Sequence, residues 1–197
     1  MDPEELLRAG SKILEPLMRP HGFIFVEGLS GKSGHGDFAR GDFVRGERRL
    51  ELHFRYTLGL VTYHVGSNSV SHESYMRELL GPGGTHQYPG FSDDPLDGFR
   101  HLAHDVERFA DDFLVGSGEV LARAALKEAA EEKAQQALDM ARAVGDTEKR
   151  EDARRLFREN NFKGVVELLE SLAYPELMTQ AEKKYLDISK RKINYRL

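Results

Sequence analysis

The stretch Arg48 to Val65, RRLELHFRYTLGLVTYHV, leaves little choice of local structure, because apolar and polar residues alternate through most of it. Leu50, Leu52, Phe54 and Tyr56 fall on one face while Arg49, Glu51, His53 and Arg55 fall on the other, the pattern of a strand with a dry and a wet side. A break at Thr57 to Gly59, followed by the β-branched and aromatic run Leu60 to Val65, predicts a second strand and hence a β-hairpin.

The flanks supply what such a hairpin needs to bury its dry face. Residues 3 to 19 read as a helix with Asp2 as N-cap and Pro3 at its first position, stopped by Pro20. Short strands are predicted at Phe23 to Val26 and Phe38 to Val44, joined by a glycine-bearing loop from Gly28 to Gly36. Ser67 to Ser69 read as a loop, and Ser71 or Ser69 caps a helix over His72 to Leu80 that Gly81 ends. Asp94 and Pro95 predict the start of a helix over 94 to 115, whose stripe of Leu96, Phe99, Leu102, Val106, Phe109 and Phe113 suits one sheet face. The expected fold class is α+β: a small antiparallel sheet covered by helices, followed by an all-helical C-terminal extension. Gly116 and Gly118 mark a change of composition, dividing the chain into 1–116 and 117–197.

Residues 119 to 144, rich in Ala, Glu, Lys and Gln, predict a long helix that Gly145 stops, followed by helical patterns over 147 to 160, 162 to 172 and 175 to 192. In ARRLFRENNFKGVVELLESLAYPEL, small Ala153 precedes large Leu156 and Phe157. A polar corner at Asn160 and Asn161 leads to Phe162, Val165, Val166, Leu169 and Pro175. This run, within about 147–192, resembles one tetratricopeptide repeat. The resemblance implies a helical hairpin of the kind that serves in peptide-binding scaffolds, although such arrays usually stack about three repeats before a groove exists. Residues 1–115 resemble no family specifically and look like small bacterial α+β domains, immunity-type proteins included.

Composition narrows the chemistry. The 197 residues include no cysteine, which excludes disulfides, thiolate catalysis and Cys-based zinc or iron–sulfur sites. A formal charge of −5 argues against a dedicated nucleic-acid binder. The arginines of residues 40 to 55 do not reverse this, because Phe54, which would have to stack bases, belongs to the dry face. An acidic amino terminus and the lack of any apolar run near ~18 residues give a cytoplasmic expectation, with no membrane partner and no cofactor.

Several motifs fail on their spacing. Gly31, Lys32 and Ser33 end like a phosphate loop, but Val26 stands where its first glycine belongs, leaving at most an anion contact by Lys32 and His35. His72 and Glu73 open a zinc-peptidase motif that Met76 breaks, so no metal is expected. His101, His104 and Asp105 read as a solvated face of the 94–115 helix. The remaining candidate is cross-strand: His53, Arg55 and His64, joined by Tyr63 or His72, in a polar pocket for an anionic ligand or a general base. Two functions follow. The first is a non-catalytic interaction protein that uses its C-terminal helices, with a homo-oligomer left open. The second is a small-ligand binder or enzyme built on the hairpin.

Overall fold

The computed structural model describes residues 2–34, 36–90 and 92–194. His35, the second half of the suggested anion contact, lies outside the described residues. The fold is α+β, and the chain divides into two compact units, residues 1–130 and 131–197, with the division inside one helix.

In the first unit, α1 (Pro3–Met18) precedes a five-stranded antiparallel meander in the order β1-β2-β3-β4-β5. The strands are β1 (Ile24–Ser33), β2 (Gly36–Arg45), β3 (Arg48–Phe54), β4 (Leu58–Val65) and β5 (Asn68–Ser71). Then come α2 (His72–Leu80), α3 (Asp97–Phe109), the short α4 (Asp111–Leu114) and α5 (Glu119–Arg158). Two-residue turns join β2 to β3 and β4 to β5, and each begins with a glycine at positive φ, Gly46 at 55° and Gly66 at 58°, as tight hairpins require.

The dry face is as the alternation predicts up to Phe54: Phe43, Leu50, Leu52, Phe54, Val61, Tyr63 and Val70 are buried. Tyr56 departs from it, lying beyond the end of β3 and 71% exposed. Helices α1 and α3 pack on each other and on this face, with Phe54 and Phe99 stacked at 5.9 Å between ring centres. The stripe survives a break at Ala110, where α3 gives way to α4 and Phe113 packs edge-on to Tyr63 at 4.9 Å. Arg48 donates to the carbonyls of Asp112 and Gly116 at 3.0 and 2.5 Å, satisfying the open end of that short helix. Such guanidinium caps depend on residues 64 and 68 positions apart and have no local signal.

Other expectations in this unit are corrected as well. The segment from Gly28 to Gly36 is no loop: β1 continues to Ser33 across a bulge between Glu27 and Ser30, and its glycines let backbones approach. A Cβ on Gly28 would stand 3.0 Å from the Arg40 carbonyl oxygen. The polar run at 68–71 is the strand β5, stabilised by pairing with β4 rather than by propensity. Asp94 and Pro95 form a turn before α3, with Asp94 Oδ1 accepting from Leu96 N at 2.9 Å, rather than the helix start itself.

In the second unit, Gly145 does not end a helix, because α5 runs unbroken to Arg158. A glycine stops a helix by turning left-handed, and Gly145 keeps helical geometry while Asp146 accepts Ala173 N and Tyr174 N at 2.9 and 2.8 Å. The real reversal is Asn160, at φ 62°, leading into α6 (Phe162–Glu170) and α7 (Gln180–Asn194). Ala153, Val165, Leu169 and Leu172 form the core there, with Phe157 stacked on Tyr185 at 4.3 Å.

Candidate functional site

The register of β2, β3 and β4 builds a polar cluster on the wet face. Asp42 pairs with Glu51 and Glu51 with Thr62, while Arg40 pairs with His53 and Arg49 with His64. Glu51 sits at the centre with its side chain 11% exposed. Its Oε1 accepts from His53 Nε2 at 2.6 Å, and its Oε2 accepts from Arg40 at 2.7 Å and from Arg49 and His64 Nε2 at 3.1 Å. Burial works against ionisation of Glu51, but the His53 hydrogen bond and the Arg40 and Arg49 charges outweigh it, so its pKa lies below the ordinary value. His64 is also lowered, first by burial and then by Arg49, with Glu51 pulling the other way. The arrangement is a carboxylate satisfied from four directions.

The proposed five-residue pocket splits. His53 and His64 meet through Glu51, and Arg55 shares with His53 an open groove of about 430 Å3 lined also by Phe38, Phe54 and Leu60. Tyr63 and His72 lie on the opposite, buried face, because Tyr63 follows the dry set of β4. A residue one position from His64 in a strand must point the other way.

There they join a second cluster. Ser71 caps α2 through Ser74 N and so places His72 in the first turn, under the sheet. Tyr63 Oη donates to His72 Nδ1 at 3.0 Å, and His72 Nε2 donates to Asp105 Oδ2 at 3.2 Å. Asp105 also accepts from Gln87 N, from Tyr88 N at 2.8 Å, and from His104 Nδ1 at 3.1 Å. His86 Nδ1 donates to the Tyr88 carbonyl at 2.7 Å, and its Nε2 stands 3.1 Å from Glu73 Oε2. Burial alone would raise the Asp105 pKa, yet the donors from His72, Tyr88, Gln87 and His104 hold it far below the carboxylate range. Burial lowers His72, only partly offset by Asp105, and drives the Tyr63 hydroxyl well above its usual value. The imidazole is therefore neutral, with its proton on Nε2.

Asp105 corrects the sequence reading outright, since it is fully buried rather than solvated. The signal was present: Asp105 follows Leu102 by three positions and precedes Phe109 by four, which puts it on the flank of the apolar stripe. His86 had no such signal, because it sits in the irregular segment between α2 and α3. One donor atom each from His72, His86 and Asp105 lies within 4.8 Å of the others, so this is where a metal ion could be held among the described residues.

Compared with models of known protein families, with curated proteins and with solved structures, the chain has no match. None of the described helices is long and apolar enough to cross a membrane.

Proposed function

We propose that this chain is a non-catalytic cytoplasmic interaction protein whose helical second unit holds a protein partner. One observation carries the reading. Along α5, Leu138, Met140 and Val144 are 54, 71 and 56% exposed, and Ala134, Ala137 and Ala141 lie beside them on one helical face. Glu131, Glu132, Gln135, Asp139 and Arg142 occupy the other side. This apolar strip is confined to residues 134–144 of α5 and is bounded by Lys133, and it fits a partner that lays an apolar helix against it. The tetratricopeptide-like hairpin formed by the end of α5 with α6 supports the same reading. Ala153, Val165 and Leu169 are buried in that stretch.

The test is affinity capture by the full chain and by a Leu138→Glu, Met140→Glu double variant of equal thermal stability, with sedimentation reporting self-association. Proteins retained by the parent and lost by the variant support the reading. Capture that is unchanged by the variant sinks it.

A second reading, small-ligand binding, rests on the groove between His53 and Arg55. It predicts that His53→Ala abolishes binding of an anionic ligand and leaves partner capture intact.

A further inference from the structure

We propose that His72, His86 and Asp105 form a binding site for one zinc-class divalent ion, with Glu73 beside His86 at its rim. This goes beyond the interaction reading and uses residues on a different element set.

The donor chemistry fits first. Two imidazoles and a carboxylate are a nitrogen and oxygen set of the kind zinc accepts, and the absence of cysteine does not weaken it. The spacing fits next. Donors held about 2.0–2.1 Å from one tetrahedral ion stand about 3.3 Å from each other. His72 Nε2 to Asp105 Oδ2 is 3.2 Å, and one donor atom each of His72, His86 and Asp105 lies within 4.8 Å of the others, a spacing that a bound ion would draw in. The first distance stands at the long end of the ordinary N–H···O range of about 2.7–3.2 Å.

The supporting contacts are those a metal site needs. His86 donates Nδ1–H to the Tyr88 carbonyl, so its Nε2 presents a lone pair toward the Glu73 carboxylate. A second imidazole proton or a cation can fill that contact, and a metal ion at Nε2 takes the place of the proton. Asp105 is fixed by the amides of Gln87 and Tyr88. As a ligand, His72 carries its proton on Nδ1 and donates it to the Tyr63 oxygen, a tautomer shift within an existing contact.

Access and charge are consistent. His72 and Asp105 are sealed, whereas the side chains of His86 and Glu73 are 16 and 68% exposed, so the ion enters from their side. Asp105 as a ligand and Glu73 beside His86 supply two negative charges near the ion, which limits the cost of holding it partly out of water. The ligands come from α2, α3 and the segment between them, so the ion would pin that irregular segment to both helices. Three protein donors leave the fourth position of a tetrahedral ion to water or to another ligand.

The experiment uses the full chain without an affinity tag. After chelator treatment and dialysis it is titrated with zinc and read by calorimetry and elemental analysis, and cobalt is then substituted for its visible spectrum. One equivalent of zinc per chain, a tetrahedral cobalt spectrum and a zinc-dependent rise in melting temperature are expected. His86→Ala should weaken zinc by more than the about 10–100-fold typical of losing an outer contact, and remove the melting shift. Glu73→Gln, at an exposed position that does not threaten folding, should weaken zinc at least about tenfold. Failure of the parent chain to bind one equivalent overturns the proposal, as does binding that neither variant changes. Then the cluster is a hydrogen-bonded strut alone.

Discussion

His72 and Asp105 meet 3.2 Å apart beneath the sheet, each sealed from solvent, and this pair joins α2 to α3 across 33 positions of sequence. Their contact also organises the segment between the helices, since Gln87 and Tyr88 turn their amides onto the same carboxylate.

Asp105→Ala therefore strands more than one donor at once. Each buried N–H left without a partner costs about 1–3 kcal/mol, so the metal-free chain is expected to lose about 3–5 kcal/mol of unfolding free energy. Urea denaturation with the chelator present measures it. Glu107→Ala, at an exposed position of α3, should change stability by no more than about 0.5 kcal/mol. Equal losses in the two variants would refute the role given to Asp105.

The wet-face cluster makes a titration prediction. His64 has its folded pKa below the ordinary imidazole value of about 6.5, so the unfolded chain binds the proton more readily and stability falls as pH drops below that value. Glu51 is also depressed. Its contribution is complete above the unfolded carboxylate value of about 4.3 and is lost as pH falls toward the folded one. NMR titration of His64 is expected to move further down in Glu51→Gln, which removes the raising influence, and up in Arg49→Gln. Shifts of the opposite sign would show that the pairing is wrong.

Gly10 marks the closest approach of α1 and α3. A Cβ there would stand 2.3 Å from the Phe99 ring, which is itself wedged against Phe54. Gly10→Ala should lower stability by about 1–3 kcal/mol through overpacking despite the better helix propensity of alanine. Combining it with Phe99→Leu should recover part of the loss, and thermal melts of the single and double variants would reveal an absence of coupling.

Gly145 should respond in the opposite way. It lies inside α5 with nothing within 4 Å of a would-be Cβ. Gly145→Ala is expected to stabilise the second unit by about 0.5–1 kcal/mol, readable as slower amide exchange in residues 140 to 150. Destabilisation there would mean that the helix bends or breaks at this glycine in solution.

Local chemistry was enough for the parts whose instructions are local. The alternation from Leu50 to Phe54 set which face of the sheet is dry, Asp2 and Ser71 set where two helices begin, and the stripe from Phe99 to Val106 set which face of α3 turns inward. These follow from side-chain periods and capping bonds that span four residues or fewer. Tertiary structure decided the rest. The 68–71 strand exists because β4 offers it a ladder, and α5 passes through Gly145 because Asp146 and the residues after it are held by α6 and the turn beyond. Polar residues belong to the same class. Whether Glu51 and Asp105 face water or become the hubs of buried networks depends on which donors the folded chain brings to them. Those donors, His64 for one and His72 and Tyr88 for the other, are 13, 33 and 17 positions away.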